Sequence, residues 1–276
     1  MKFKKIYIIL YIAVAVACIH GCTSGIVFED IPSEYNKAME KLEYQMGYSS
    51  IYCGKIKYDD LVLVDADLTR PQKTVYLTFD DGPSMRTEEI LDLLQEYNIK
   101  ATFFVVNNES EKAKELVKRT FDEGHTVGVH SASHSYKDIY KSVDSYLEDF
   151  ELCYNYIYGI TGEYPSIYRF PGGSVNNYNG NICKDIVAEM NRRGFTYFDW
   201  NISSDDATKS YTEESIYSKV MKGCETHSTC VVLMHDSSGK KATVAALKRI
   251  IPDLLEKGYV FDRLNETVQP TVFRLE

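Results

Sequence analysis

From Lys73 onward, short runs of apolar, β-branched and aromatic residues alternate with stretches of helical pattern, and this alternation limits what the chain can become. Seven such runs occur, at 75–79, 102–106, 126–129, 166–170, 196–198, 230–234 and 259–261. Helical stretches separate them at 87–97, 111–123, 143–160, 182–193, 213–222 and 243–256. Strands that alternate with helices run parallel and are joined by crossovers that cover the sheet. No repeat or low-complexity break interrupts the series, so residues 73–265 read as one α/β domain. Seven units predict an incomplete (β/α)7-type TIM-like barrel rather than an open two-domain sheet. Residues 266–276 follow as a C-terminal tail.

In α/β barrels the chemistry gathers at the C-terminal ends of the strands, whereas the other end serves stability. Applied here, that rule sorts the reactive residues. Asp80 and Asp81 follow the first run, and His130 follows the third with His134 four positions on. Arg169 closes the fourth run, Asp199 follows the fifth, and His235 follows the sixth. His125 and His227 precede their strands, which assigns them to the opposite end as structural residues.

His130-Ser131-Ala132-Ser133-His134 places two imidazoles at i and i+4, on one face if the segment is helical. Two nitrogen ligands and a carboxylate would make an open metal site with room for water. Asp80 and Asp81 supply the carboxylates. Taken alone, Asp-Asp-Gly-Pro is ordinary turn chemistry. Beside the histidine pair it reads differently. Two adjacent carboxylates in a desolvated site raise one another's pKa unless cations compensate. A metal beside one and Arg169 beside the other would resolve the conflict. His235 could serve as a third metal ligand or as a proton donor, its state set by a carboxylate partner.

The N-terminus is of another kind. Lys2, Lys4 and Lys5 precede an apolar run of 14 residues at 6–19, shorter than the ~20 needed to span a bilayer as a helix. Residues 1–22 therefore read as a secretory signal. Ile19-His20-Gly21-Cys22 resembles a lipoprotein cleavage box, which makes Cys22 the lipidation candidate. Ala15-Val16-Ala17-Cys18 is a second such site, and ordinary cleavage or an uncleaved anchor are the alternatives. Residues 23–72 carry no sustained pattern beyond helical spacing at Met39, Leu42 and Met46, and read as a linker or stalk. Export puts the chain in an oxidising compartment, where Cys224 and Cys230 could close a small disulfide; buried thiols are the equal alternative. The net charge of −9 offers no basic face to nucleic acid.

Thr78-Phe79-Asp80-Asp81-Gly82, His130 to His134, Arg169-Phe170-Pro171-Gly172, the Asp-rich stretch after Trp200, and Leu233-Met234-His235 occur in the order found in the NodB-homology polysaccharide deacetylases. These are the family 4 carbohydrate esterases, and the resemblance spans residues 73–265. It implies a distorted (β/α) barrel holding a divalent metal, usually zinc, on Asp81, His130 and His134. It further implies Asp80 as catalytic base, Arg169 as the partner of that base, and His235 as general acid tuned by Asp206. Asp199 and Asp205 remain alternatives for the tuning role. Pro171 and Gly172 would line the groove, with the Gly172 N–H stabilising an oxyanion, and Leu233 would help form the acetyl pocket. Two departures stand out. Gly172 and Gly173 occupy positions where an aromatic residue usually follows the proline, which removes a groove wall. The fourth motif ends Asp206-Ala207 where the family usually has tryptophan, which puts the sugar subsites in doubt more than the reaction.

The expected activity is removal of acetyl groups from a polysaccharide containing N-acetylglucosamine, outside the cytoplasmic membrane and attached to it through the N-terminal signal or a lipid. Peptidoglycan is the favoured polymer, with chitin oligomers and acetylated xylan open. Tyr136 and Tyr178 lie near the expected rim and are candidates to line the sugar groove. Two rival readings exist. A glycoside hydrolase using Asp80 and Asp206 would leave His130, His134 and Arg169 without a task. A non-catalytic carbohydrate-binding protein on the same fold would have no use for base, acid and ligands together.

Overall fold

The structure, a computed structural model, describes residues 73–275. The expected signal at 1–22 with Cys22, the stretch at 23–72 with its helical spacing, and residue 276 lie outside the described residues. The elements in chain order are β1 (Thr74–Gly82), α1 (Met85–Glu96), β2 (Thr102–Val106), α2 (Glu111–Asp122), β3 (Thr126–Ser131), α3 (Tyr136–Ile139) and α4 (Val143–Thr161). There follow β4 (Ile167–Tyr168), α5 (Cys183–Arg192), β5 (Thr196–Tyr197), β6 (Ile202–Ser203), α6 (Glu213–Glu225), β7 (Thr229–His235), α7 (Lys241–Glu256) and β8 (Val260–Asp262). Helices α1, α2, α4 and α6 begin at Ser84, Ser110, Ser142 and Thr212, whose side-chain oxygens accept from amides of the first turn. Gly162 ends α4 at φ +79°, a conformation that a side chain would strain.

All strand pairs are parallel, in the order β5-β4-β3-β2-β1-β7-β6. β8 pairs with Thr74 to Tyr76 of β1, and β2 pairs with β1 from Thr78 onward. The outermost strands, β5 and β6, are consecutive in sequence yet unpaired among the described residues, so the barrel is incomplete as expected. There are eight described strands rather than seven. The extra one is β6, two residues held against Val232 and Leu233 of β7.

Alternation along the strands divides the core. Phe103, Val129, Tyr168 and Val232 face the helices with Leu77, Leu91 and Ile250. Phe104, Ile167, Phe198, Val231 and Leu264 form a separate cluster, which we assign to the inner face of the curled sheet because they alternate with the first set. His125 and His227 stand apart from the rim, as expected. His125 is buried, its Nδ1 accepts from the Ala101 amide at 3.1 Å, and burial lowers its pKa to about 4. His227 is exposed at the end of α6, its Nδ1 2.9 Å from the Gly223 carbonyl.

The C-terminal tail after residue 265 packs back against the chain that follows β5. Asp199 N–H donates to the Thr271 carbonyl at 2.7 Å, Phe273 N–H donates to Asp199 Oδ2 at 2.8 Å, and the Phe273 ring meets Trp200 edge-on. Cys224 and Cys230 are free thiols, as are Cys153 and Cys183. Cys224 in α6 and Cys230 in β7 are both buried, with residues 226–228 between the two elements, which answers to the buried-thiol alternative. Among the described residues no helix is long and apolar enough to cross a membrane.

Gly128 shows how tightly the inner face is filled. A Cβ at this position would lie 2.7 Å from Cδ1 of Phe104 and 3.1 Å from the Ile167 carbonyl oxygen. Overpacking of this kind costs about 1–3 kcal/mol. Gly128→Val should therefore lower the urea midpoint of the full chain by a matching amount at an unchanged m-value; an unmoved midpoint would show that Phe104 yields freely.

Candidate active site

The rim at the C-terminal ends of the strands carries the reactive groups. Asp80 and Asp81 lie in the last three residues of β1, and His130 lies within β3. The segment from His130 to His134 is not helical: His130 is the penultimate residue of β3, and His134 sits in the following turn at φ +53°. The imidazoles still converge, with ring centroids 5.2 Å apart. Asp149 of α4 makes the turn that brings them together. Its carboxylate accepts from Ser131 Oγ at 2.5 Å, Ala132 N at 2.9 Å and Ser133 N at 2.8 Å, and Ser131 Oγ accepts in turn from His134 N at 2.8 Å.

His134 Nε2 lies 3.1 Å and His130 Nε2 3.5 Å from Asp81 Oδ1, and the three ligand atoms fall within 4.8 Å of one another. Asp81 Oδ1 is buried and has no hydrogen bond of good geometry. Burial pushes the Asp81 carboxyl up, but the two imidazoles outweigh it and hold the group well below the carboxylate range. His130 Nδ1 faces the Arg169 carbonyl at 2.9 Å, which directs Nε2 toward the cluster. Two nitrogens and an anionic oxygen, itself buried and without a hydrogen bond, fit a divalent cation at an open position.

Asp80 is 3% exposed and Arg169 is 0% exposed. Arg169 Nη1 donates to Asp80 Oδ1 at 3.0 Å and to Thr78 Oγ1 at 2.6 Å. Its Nε donates to the Phe198 carbonyl and its Nη2 to the Asp199 carbonyl, both at 2.8 Å. The guanidinium stacks over Phe104 with its carbon 4.4 Å from the ring centroid. Asp80 Oδ2 is 3.9 Å from His130 Nε2, so base and ligand cluster are neighbours.

Three aspartates were open as partners of His235, and Asp206 is the one in contact. Its Oδ1 lies 2.7 Å from His235 Nδ1, and its Oδ2 accepts from His235 N at 2.9 Å and Thr243 Oγ1 at 2.8 Å. Asp205 pairs with Lys219 at 2.7 Å, and Asp199 accepts from Ser174 and Phe273. Burial lowers the His235 pKa, but the Asp206 carboxylate more than reverses this, so the ring holds its proton above the ordinary range. Leu233 is buried two residues earlier on β7, on the same face as His235.

The remaining candidates lie in the loop after β4. The Pro171 carbonyl accepts from Tyr140 Oη at 2.8 Å and Asn176 Nδ2 at 3.2 Å. Gly172 stands at φ +76°, and among the described residues its N–H donates no hydrogen bond. The groove wall is not lost there. A Cβ on Gly172 would lie 2.7 Å from Cε1 of Tyr136, so the Tyr136 ring fills the space above this glycine. Tyr136 also meets His134 edge-on at 5.2 Å and Tyr178 at 5.3 Å, with Tyr178 52% exposed. Sequence reasoning missed Asp149, whose carboxylate looks like any helix-surface acid, and Asp236. Burial raises Asp236 to about 7; its carboxyl accepts from Ser84 Oγ at 3.1 Å and Thr87 Oγ1 at 2.5 Å. Its neighbour His235 was the only signal that could have found it.

A parallel barrel rim with a carboxylate–dihistidine cluster, an arginine-held carboxylate and a carboxylate-held imidazole defines a metal-dependent hydrolase of the barrel class. The family model described as polysaccharide deacetylase matches residues 67–196. A peptidoglycan-N-acetylglucosamine deacetylase of Bacillus cereus is 31% identical over 282 residues, covering 96% of this chain and 93% of its own. The catalytic domain of a peptidoglycan N-acetylglucosamine deacetylase from Eubacterium rectale superposes with a TM-score of 0.70 at 39% identity, covering 74% of this chain and 94% of that one. The polysaccharide deacetylase Bc1974 from Bacillus cereus superposes with a TM-score of 0.65 at 33% identity, covering 73% and 96%. The chain belongs to the polysaccharide deacetylase family, carbohydrate esterase family 4, and is a deacetylase.

The His235–Asp206 pair sets a pH limit. A raised pKa keeps the imidazolium present to a higher pH, and the acid form is lost as pH rises through it. The alkaline limb of kcat should therefore lie above the unperturbed histidine value of ~6.5. Asp206→Asn leaves burial opposed only by more distant carboxylates, so this limb should move to lower pH in a pH–rate profile; a limb that stays in place would separate it from His235.

Proposed function

We propose that the chain is a zinc-dependent deacetylase that removes the N-acetyl group from N-acetylglucosamine units of peptidoglycan, outside the cytoplasmic membrane. The observation that carries the reading is the convergence of three groups on one rim: the Asp81–His130–His134 cluster, the Asp80–Arg169 pair and the His235–Asp206 pair. Relatives described as peptidoglycan N-acetylglucosamine deacetylases support the polymer. The basic and apolar start of the chain, with Cys22 as lipid acceptor, supports the location and attachment to the membrane.

Asp81, His130 and His134 would hold the metal, which when bound lowers the pKa of water from 15.7 toward ~7 and polarises the acetyl carbonyl. Asp80, fixed by Arg169, takes the proton as water attacks the acetyl carbon. The free N–H of Gly172 faces the growing negative charge on the carbonyl oxygen, where a fixed donor needs no reorganisation. His235, protonated and oriented by Asp206, gives its proton to the sugar nitrogen as the C–N bond breaks. Acetate and a free amine leave, and one water is consumed. The rings of Tyr136 and Tyr178 offer an amphipathic wall for the C–H face of a sugar beside this centre.

The glycoside hydrolase reading loses ground because Asp206 is spent on His235, Thr243 and the β7 backbone. A non-catalytic binding protein would leave the His235–Asp206 pair beside the cluster without a task.

Acetate release from peptidoglycan and from N-acetylated chitooligosaccharides tests the proposal. The chelated full chain should be inactive and zinc should restore release, whereas Asp80→Asn should lose about 10²–10⁴-fold in kcat with zinc still bound. Cleavage of the glycan chain without acetate would overturn the reading. Tyr178→Ala should raise KM several-fold at a similar kcat, the mark of lost uniform binding. An unchanged KM would remove Tyr178 from the groove.

A further inference from the structure

Two of the three ligand residues, Asp81 at φ +71° and His134 at φ +53°, lie in the left-handed region, which non-glycine residues occupy at a cost. Such conformations persist only where surrounding contacts over-determine them. Each of the two turns is tied by one carboxyl group that is not itself a ligand.

For His134 the tie is Asp149, which reaches from α4 to the Ser131 hydroxyl and to the Ala132 and Ser133 amides. Through Ser131 Oγ the same chain of bonds ends on the His134 amide. Every residue between the two histidines is thus bound to one carboxylate. For Asp81 the tie is Asp236, which is 0% exposed. Its amide donates to the Asp80 carbonyl at 2.7 Å. Its carboxyl receives both hydroxyls of the α1 capping box, Ser84 and Thr87. A Cβ on Gly82 would lie 2.3 Å from Asp236 Oδ2, so the chain beyond Asp81 presses directly against this carboxyl. Asp236 therefore clamps the turn on both sides of Asp81 to the strand end that carries His235.

We propose that Asp149 and Asp236 are positioning residues that hold the His134 and Asp81 turns in the metal-binding conformation before metal arrives. The inference rests on the metal reading of the cluster given above, and a metal-binding readout keeps it separate from the choice of substrate. Supporting groups of this kind are worth roughly 10–100-fold in metal affinity or activity.

Zinc affinity of the full chain, measured by competition with a chromophoric chelator, tests the proposal. Asp149→Ala and Asp236→Ala should each weaken zinc by roughly 10–100-fold, alter the visible spectrum of the cobalt(II)-loaded chain, and lower kcat at constant KM. Asp253→Ala is the control. It removes a carboxylate that accepts from Tyr217 Oη at 2.5 Å between α6 and α7, and it should leave zinc affinity and the cobalt spectrum unchanged. If an alanine variant does not fold, Ser131→Ala and Thr87→Val remove the donor side of each tie and carry the same expectation. A folded variant that binds zinc within twofold of the parent overturns the assignment for its carboxylate. Failure of the parent to release acetate from any polymer, with these zinc effects intact, would count against the substrate and leave the positioning roles standing.

Discussion

The buried ion pair between Arg169 and Asp80 is the interaction on which the rest of the rim depends. An arginine with no solvent exposure is expensive unless its donors are satisfied, and losing a partner from such a pair costs roughly 3–5 kcal/mol. Here the guanidinium meets the carbonyls of Phe198 and Asp199, the Thr78 hydroxyl and the Asp80 carboxylate, and lies over Phe104. Those partners come from β1, β2 and the chain just after β5, so one side chain ties distant strand ends together. Its own carbonyl faces His130 Nδ1, which links the base to the ligand cluster through a single residue.

Around this pair the two halves of the chemistry are built differently. The acid half is rigid by strand geometry: His235 ends β7, and Asp206 grips both its ring and its amide. The ligand half departs from regular strand geometry, at an irregularity near the end of β1 and in the turn after β3, with two residues at positive φ. Turns of this kind can reach a shared point that no strand or helix periodicity would give, and they need outside support to stay there.

That difference explains what could be read from the chain. The long strands β1, β2, β3 and β7 announce themselves by apolar runs, and the strand-end rule sorts the rim residues correctly. β6 was invisible because two residues carry no periodic signal. The i, i+4 spacing of His130 and His134 put the rings together only on the condition of a helix, since spacing alone cannot report a φ of +53° in a turn held by a carboxylate from α4. Gly172 suggested a missing wall because the residue that fills the space, Tyr136, comes from a different turn. Cys224 and Cys230 left a staple and buried thiols equally open, because sequence spacing does not report whether two neighbouring thiols are joined. For β6, the histidine turn and Gly172 a contact made across the fold decided the matter, and local sequence holds no record of such contacts.

The proposed metal site joins Asp81, His130 and His134 on the rim. X-ray absorption at the zinc edge on the zinc-loaded full chain tests it most directly. A first shell of nitrogen and oxygen only, at about 2.0–2.2 Å, with the outer-shell scattering of two imidazoles, is expected. A sulfur ligand at about 2.3 Å, or a shell with no imidazole scattering, would contradict it.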